Sequence, residues 1–396
     1  MSSRSENLEQ FAIDVILGRR QGFRATVLRG LLYLLSFLYE LIVQLRLWLY
    51  RRRILRQHTL GCLVISIGNL TVGGTGKTPI VEKFARALHS GGRRVAILSR
   101  GYKSVPRTAK RTWLDKLRRR DPNPPRVVSD GKSLLLDSLT AGDEPYMLAN
   151  NLKDVIVLVD KDRVKSGRFA IKELKADTLL LDDGLQYLHL KHRLDIVLID
   201  RQAPFGNEYL LPRGTLREPP KNLRRASYIF ITKSTGEPND ALIERIRRHN
   251  RTAEIIECAH RPLHLQSVTT GEHVPLESLR DIYVGALSGI AAPESFEDAL
   301  RKLGARLEIA KHYTDHHRYT EAELQSFINR CIRRDLQMIV TTEKDAVRFP
   351  RLAKPEVPIF FLRVEIEILS GHESWEQCVA RICKPQRNRA PMRFFA

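Results

Sequence analysis

The chain has 396 residues, 43% of them hydrophobic, and 66 Lys+Arg against 45 Asp+Glu leave a formal charge of +21. That length and apolar share exclude a disordered chain and suit two domains. Five cysteines (Cys62, Cys258, Cys331, Cys378, Cys383) lack CxxC spacing, which speaks against a disulfide framework or thiolate zinc site and for a reducing compartment. The basic excess is concentrated: residues 1–60 carry ten basic and four acidic groups, 101–128 nine and two, 381–396 five and none. Such appendages invite a polyanion or an anionic membrane surface.

From the N-terminus, the first element is the apolar run Leu31–Leu45, broken by Glu40 and flanked by Arg19, Arg20, Arg24 and Arg29 before it and Arg51, Arg52, Arg53 and Arg56 after it. No small-residue cleavage site follows, so a cleavable signal is not expected. A membrane span needs roughly 20 apolar residues, and this run is short and charged. A basic amphipathic helix lying in the interface, with Trp48 and Tyr50 at headgroup level, fits it better. A buried core helix and a single tilted span are the alternatives.

Next come the apolar run Leu63–Ile67, a Gly-rich turn ending Gly76-Lys77-Thr78, and an amphipathic helix over 78–90. Strand, bare-backbone loop and helix N-terminus together make a phosphate cradle. The loop would be Thr71, Val72, Gly73, Gly74, Thr75, Gly76, Lys77 and Thr78. Lys77 would reach the β/γ-phosphates, and the Thr78 hydroxyl would hold Mg²⁺. Thr71 stands where G-x-x-x-x-G-K-[ST] has its first glycine, although Gly73 and Gly74 keep the loop pliable.

From residue 61 apolar runs alternate with helical patterns, the signature of an α/β fold with a mostly parallel sheet. Strands are expected at 63–67, 95–98, 155–159, 178–181, 195–199 and 228–232, and helices at 78–90, 143–151, 163–174 and 239–249. Residues 103–126, with Pro106, Pro122, Pro124, Pro125 and Arg118–Arg120, read as a basic surface insertion. A second block from about 270 has strands at 282–287, 336–341 and 358–362 and helices near 293–303 and 320–334; the tail from Lys384 reads as disordered. The expected division is a membrane-associated region 1–60, a P-loop domain 61–270, a smaller C-terminal α/β domain 271–383, and a basic tail 384–396.

Several constellations carry chemistry. Thr178-Leu-Leu-Leu-Asp182-Asp183-Gly184 is an apolar strand ending in two acids, the shape of a Walker B element, though the pair does not reveal which one faces a metal. Gly142-Asp143-Glu144-Pro145 opens a helix, and locally Asp143 reads as an N-cap. Asp315-His316-His317-Arg318-Tyr319 reads as a turn with no metal spacing. Pro212-Arg213-Gly214-Thr215-Leu216-Arg217-Glu218-Pro219 offers two arginines suited to phosphate. Thr232-Lys233-Ser234-Thr235 has Thr235 where a guanine-reading Asp belongs, so adenine is the expected base.

Taken together, these residues resemble the tetraacyldisaccharide 4′-kinase family, the lipid A 4′-kinases of Gram-negative bacteria. The resemblance runs from about residue 60 to 350, through Gly68–Pro79 with its shared Thr71, Ser99-Arg100-Gly101-Tyr102, Gly142–Pro145 and Asp182-Asp183-Gly184-Leu185-Gln186. It continues through Leu211–Gly214, Leu216–Pro219, Asp315–His317 and Thr341-Thr342-Glu343-Lys344-Asp345. It implies a kinase using ATP and Mg²⁺ to phosphorylate the 4′-hydroxyl of a tetraacylated disaccharide 1-phosphate, giving lipid IVA, at the cytoplasmic face of the inner membrane. It implies Asp143 as catalytic base, His316 as its partner, Lys77 and Thr78 as the P-loop pair and Asp182 and Asp183 as metal acids. Arg217 resembles the loop arginine that neutralises phosphate, with Arg213 close enough to compete, and Tyr102 a residue near the nucleotide or lipid head. Closure of a hinge is expected to bring His316 toward Asp143.

The expected partners are the lipid disaccharide and anionic lipid; no nucleic acid is expected, and the oligomeric state is left open. A P-loop ATPase acting on nucleic acid is the alternative. It lacks aromatic–basic interleaving and any zinc or helix-turn-helix signature. A P-loop metallochaperone or GTPase would want a Cys/His-rich loop and a guanine-reading Asp, neither of which the chain supplies.

Overall fold

A computed structural model describes residues 10–102, 104–105, 123–350 and 355–384. Most of the expected insertion at 103–126 and the tail beyond Lys384 lie outside the described residues. The strands are β1 (Leu63–Asn69), β2 (Val95–Ser99), β3 (Arg126–Asp130), β4 (Ile156–Val159), β5 (Thr178–Asp182), β6 (Leu194–Asp200) and β7 (Tyr228–Thr232). They continue with β8 (Glu254–Ser267), β9 (His273–Val274), β10 (Tyr283–Ser288), β11 (Arg306–His312), β12 (Met338–Thr342) and β13 (Ile359–Ser370). All join one sheet in the order β11-β10-β12-β13-β8-β7-β6-β1-β5-β2-β4-β3, with β9 on β8. Pairing is parallel except at β3–β4, β8–β13 and β8–β9.

β1 sits between β5 and β6, and all seven of its residues are buried. That explains why it reads as a continuous apolar run: a parallel strand covered on both faces has no solvent side to mark by alternation. The helix Lys77–Ser90 lays Ile80, Val81, Phe84, Ala85 and Leu88 into the core over it. The register sets Ile67 beside Asp182, so the acids at the end of β5 open beside the Gly-rich turn that leaves β1.

The sheet runs without a break past residue 270. β13 pairs along β8 over most of its length. The helix His372–Cys383 that follows returns to the P-loop side, where Trp375 packs edge-on against Phe84 at 4.6 Å. β8 has no counterpart among the strands expected from sequence. Its Pro262 marks a chain that reads as a loop, and the register shifts nearby, between Arg363 and Val364 of β13, where Pro262 pairs with Val364.

The N-terminal helix extends over Phe23–Arg51, long and apolar enough by length and composition to cross a membrane. One face is docked on the body, with Ser36, Leu47 and Tyr50 buried, whereas Leu31, Leu34, Phe37, Leu38, Leu41, Ile42 and Leu45 are exposed. The helix therefore sets Ser36 against the body and leaves most of its large apolar side chains outward. A buried core helix, one of the alternatives from sequence, does not fit that orientation.

Candidate active site

The turn after β1 is shaped by its glycines. Gly76 caps the helix Lys77–Ser90 at φ 76°, and a Cβ there would lie 2.8 Å from the imidazole of His260 on β8, so only glycine fits between helix and strand. Gly73, at φ 107°, and Gly74 have no atom within 4 Å of where a Cβ would be, which leaves their backbone bare. Thr71 and Val72 are tied to the arginine loop: Thr71 bridges Leu216, the Val72 N–H donates to Thr215 O, and the Arg217 N–H donates to Leu70 O. Thr232 Oγ1 donates to Thr75 O at 3.0 Å and fixes the far side of the turn.

Lys77 Nζ donates to Asn69 Oδ1 at 3.3 Å and lies 3.7 Å from Asp183 Oδ1. Arg217 Nη1 spans both Asp183 oxygens at 3.0 and 2.8 Å. Burial would raise the Asp183 carboxyl, but the charges of Lys77, Arg217 and Arg163 outweigh it and hold it below the usual range. Asp182 is the opposite case. It is buried, accepts from Ser99 Oγ at 3.0 Å, and is pushed up to about 6 by burial, then by the charges of Glu144 and Asp183. The other loop arginine, Arg213, is turned away, donating to Ile16 O and stacking over Tyr209.

Asp143 begins the helix Asp143–Asn151 and does not cap it; Gly142 is the N-cap, with no side-chain hydrogen bond. The carboxylate points instead to residues about 170 to 205 positions later. Its Oδ2 accepts from His316 Nδ1 at 3.1 Å and from Arg348 Nε at 2.8 Å, and its Oδ1 from Arg318 Nη2 at 3.1 Å. Burial would raise it, but the His316 hydrogen bond and the Arg348 and Arg318 charges hold it below the ordinary carboxylate range. The pair is thus already assembled in this structure, without the hinge closure expected from sequence.

His316 has φ 67°, a left-handed conformation uncommon for a residue with a Cβ and typical of constrained functional positions. Its Nε2 lies 3.3 Å from Lys344 Nζ, and Lys344 also pairs with Asp315 at 3.1 Å. Asp143, held ionised, can only accept, so Nδ1 donates to it; Nδ1 also lies 3.2 Å from Arg348 Nη2, so each ring nitrogen stands beside a cation. Tyr102 packs edge-on to His316 at 5.5 Å between ring centroids. Arg348 is wholly buried and also bonds Asp345 Oδ1 at 3.1 Å and Gly289 O at 3.2 Å.

The residues present fit a nucleoside triphosphate with a divalent cation. The loop offers bare backbone, Lys77, and a buried Thr75 Oγ1 with no partner among the described residues. Asp182, raised toward neutrality, is a carboxylate short of positive charge. Asp182 and Asp183 offer carboxylate oxygens side by side at the end of β5. That suits Mg²⁺, which takes one or two carboxylates and fills its remaining positions with phosphate and water. Gly142, just before Asp143, packs against Gly101, two residues after the Ser99 that donates to Asp182, so the Asp143 and Asp182 ends of the site are neighbours.

Sequence reasoning did not single out Arg348, Lys344, Asn69, Ser99 or Glu144 for these contacts. Arg348 stands three residues after Asp345, a spacing that places two side chains on one face of a short helix. That spacing was the one available signal.

Residues 28–384 match the family model described as tetraacyldisaccharide-1-P 4′-kinase. A tetraacyldisaccharide 4′-kinase of Syntrophus aciditrophicus is 38% identical over 89% of this chain and 93% of its own. One of Anaeromyxobacter dehalogenans (strain 2CP-C) is 41% identical over 84% of this chain and 85% of its own. The solved structure titled as an "apo" form of LpxK from Aquifex aeolicus in complex with ATP superposes with a TM-score of 0.69 at 29% identity. It covers 90% of this chain and 99% of that one.

Proposed function

The chain belongs to the tetraacyldisaccharide 4′-kinase family of lipid A biosynthesis, and from that membership we propose how its residues work. ATP binds with its phosphates on the Thr71–Thr78 loop, beside the acids that end β5. Lys77 and Arg217 neutralise charge on the phosphoryl group in flight. Thr78 with Asp182 or Asp183 would hold Mg²⁺, which when bound offsets the charge of the phosphates.

The acceptor is the 4′-hydroxyl of tetraacyldisaccharide 1-phosphate, and lipid IVA is the product. An alcohol is a weak nucleophile near neutral pH, so a carboxylate that takes its proton as the bond to phosphorus forms is useful. Asp143 does this while His316 Nδ1–H holds it in place. The charges around Asp143 keep it ionised and ready at neutral pH.

The acyl chains stay in the bilayer. The outward apolar face of the helix Phe23–Arg51 sits in the cytoplasmic leaflet of the inner membrane, with its arginines among anionic headgroups. Arg52 over Trp48 at 5.9 Å is a pairing suited to that depth. The observation that carries the proposal is the Asp143–His316 contact placed one residue from Glu144 and so beside the Asp182–Asp183 acids.

The test is incubation with [γ-³²P]ATP and tetraacyldisaccharide 1-phosphate in detergent micelles, followed by thin-layer separation. A bis-phosphorylated product is expected, and Asp143→Ala and Lys77→Ala abolish it. Wild-type rates in both variants would sink the mechanism.

A further inference from the structure

Ser36 interrupts the most apolar stretch of the N-terminal helix and is 6% exposed, while its neighbour Phe37 is 65% exposed. Its hydroxyl lies 2.8 Å from Leu210 O and accepts from the Arg213 N–H at 3.0 Å. One turn on, Tyr39 OH donates to Arg217 O at 3.0 Å. Glu40 pairs with Lys221 at 2.7 Å, and Gln44 donates to Asn222 Oδ1 at 3.2 Å. Positions 36, 39, 40 and 44 fall on one helical face. Every one of them reaches the segment 210–222.

That segment carries Arg217 onto Asp183, and its backbone is bonded to the phosphate loop at Leu70 and Val72. A continuous set of hydrogen bonds therefore runs from the outward-facing apolar helix, through the backbone of Arg217, to the loop that would cradle ATP. Simple anchoring in a membrane needs none of these contacts, since the opposite face of the helix would provide it.

We propose that Ser36 and Tyr39 are positioning residues for Arg217, so that the helix that meets the membrane also sets the arginine that faces the phosphate. This rests on the kinase reading above. Without the Tyr39 hydroxyl, the carbonyl of Arg217 turns to water and its guanidinium samples more positions. The cost falls on turnover.

Tyr39→Phe and Ser36→Ala each remove one hydroxyl and keep the helix. Loss of one such hydrogen bond corresponds to a loss of roughly twofold to tenfold in kcat. KM for the lipid and retention on vesicles of phosphatidylethanolamine with phosphatidylglycerol stay at wild-type values. Phe37→Gln with Leu41→Gln, on the outward face, lowers vesicle retention.

In an Arg217→Lys background, Tyr39→Phe adds less than about twofold, because a residue acting through Arg217 has little left to act on. A merely structural role for Tyr39 would multiply with Arg217→Lys. Multiplying losses, or unchanged kcat in both hydroxyl variants, overturn the proposal. ATP hydrolysis followed in the same samples reports on Arg217 whatever the acceptor. A wild-type chain that makes no phosphorylated lipid overturns the kinase reading, whereas unchanged ATP turnover in Tyr39→Phe overturns the coupling.

Discussion

Asp143 and Asp182 are both buried carboxylates in one cleft, and their surroundings push them in opposite directions. Around Asp143 stand His316, Arg348 and Arg318, which hold the carboxyl low. Around Asp182 stand Glu144 and Asp183, which with burial push it up to about 6. The first carboxylate brings its own counter-charge and stays ionised. The second is left short of positive charge, which suits the divalent cation proposed for it. The two environments stay distinct although Asp143 and Glu144 are adjacent in the chain, one held by cations and the other adding negative charge beside Asp182.

The largest expected effect breaks the contrast at its centre. Asp143→Ala and Lys77→Ala each lower phosphate transfer by at least about a thousandfold, one removing the base and the other the cation on the phosphate. Asp182→Asn lowers turnover at fixed Mg²⁺ by roughly a hundredfold, yet the metal-free variant melts higher than wild type at neutral pH.

The sign follows from the raised folded pKa. The native state prefers the protonated acid, so the penalty for ionising Asp182 is absent below the unfolded value and grows as pH rises toward about 6. It is fully present above that. The gain from Asp182→Asn is therefore seen at neutral pH and vanishes in acid. By the same titration, wild-type Mg²⁺ activation weakens as pH falls through about 6. A variant that melts lower at neutral pH would show that Asp182 is not short of positive charge.

Arg348→Gln gives a smaller, diagnostic change. Loss of the buried guanidinium lets Asp143 rise toward the ordinary carboxylate range, so the acidic limb of kcat/KM moves to higher pH. Activity falls about tenfold at mildly acid pH and less at alkaline pH. Arg318 is partly exposed and more screened, so Arg318→Gln moves the same limb the same way by less. A pH profile that keeps its shape in both variants would remove the arginines from the account of Asp143.

Local features of the cleft were legible in the sequence, and distant ones were not. The strand–loop–helix of residues 63–90 and the acids ending β5 announce themselves because each is one contiguous stretch with a period and a stop signal. Asp143 did not: its own neighbourhood says N-cap, and only the resemblance to a kinase family gave it a role. Arg318 stands in a turn pentapeptide that assigns it no task, and Arg348 belongs to no motif. Both act across more than 170 positions of chain, on a carboxylate that no local pattern links to them. The strands at 254–267 and 306–312 went unread. One carries a proline and the other is a half-exposed edge strand with mixed polarity.

The position of β13 has a consequence for how the chain is made. The last strand among the described residues lies in the middle of the sheet, between β8 and β12. A ribosome-bound chain therefore carries two open-edged half-sheets, one ending at β8 and one at β12, until residue 370 has left the exit tunnel. Each edge exposes unpaired backbone donors and acceptors that a neighbouring chain can satisfy just as well. A chain cut before residue 359 is expected to leave both of these edges open, which light scattering of the truncated protein against the full chain would check.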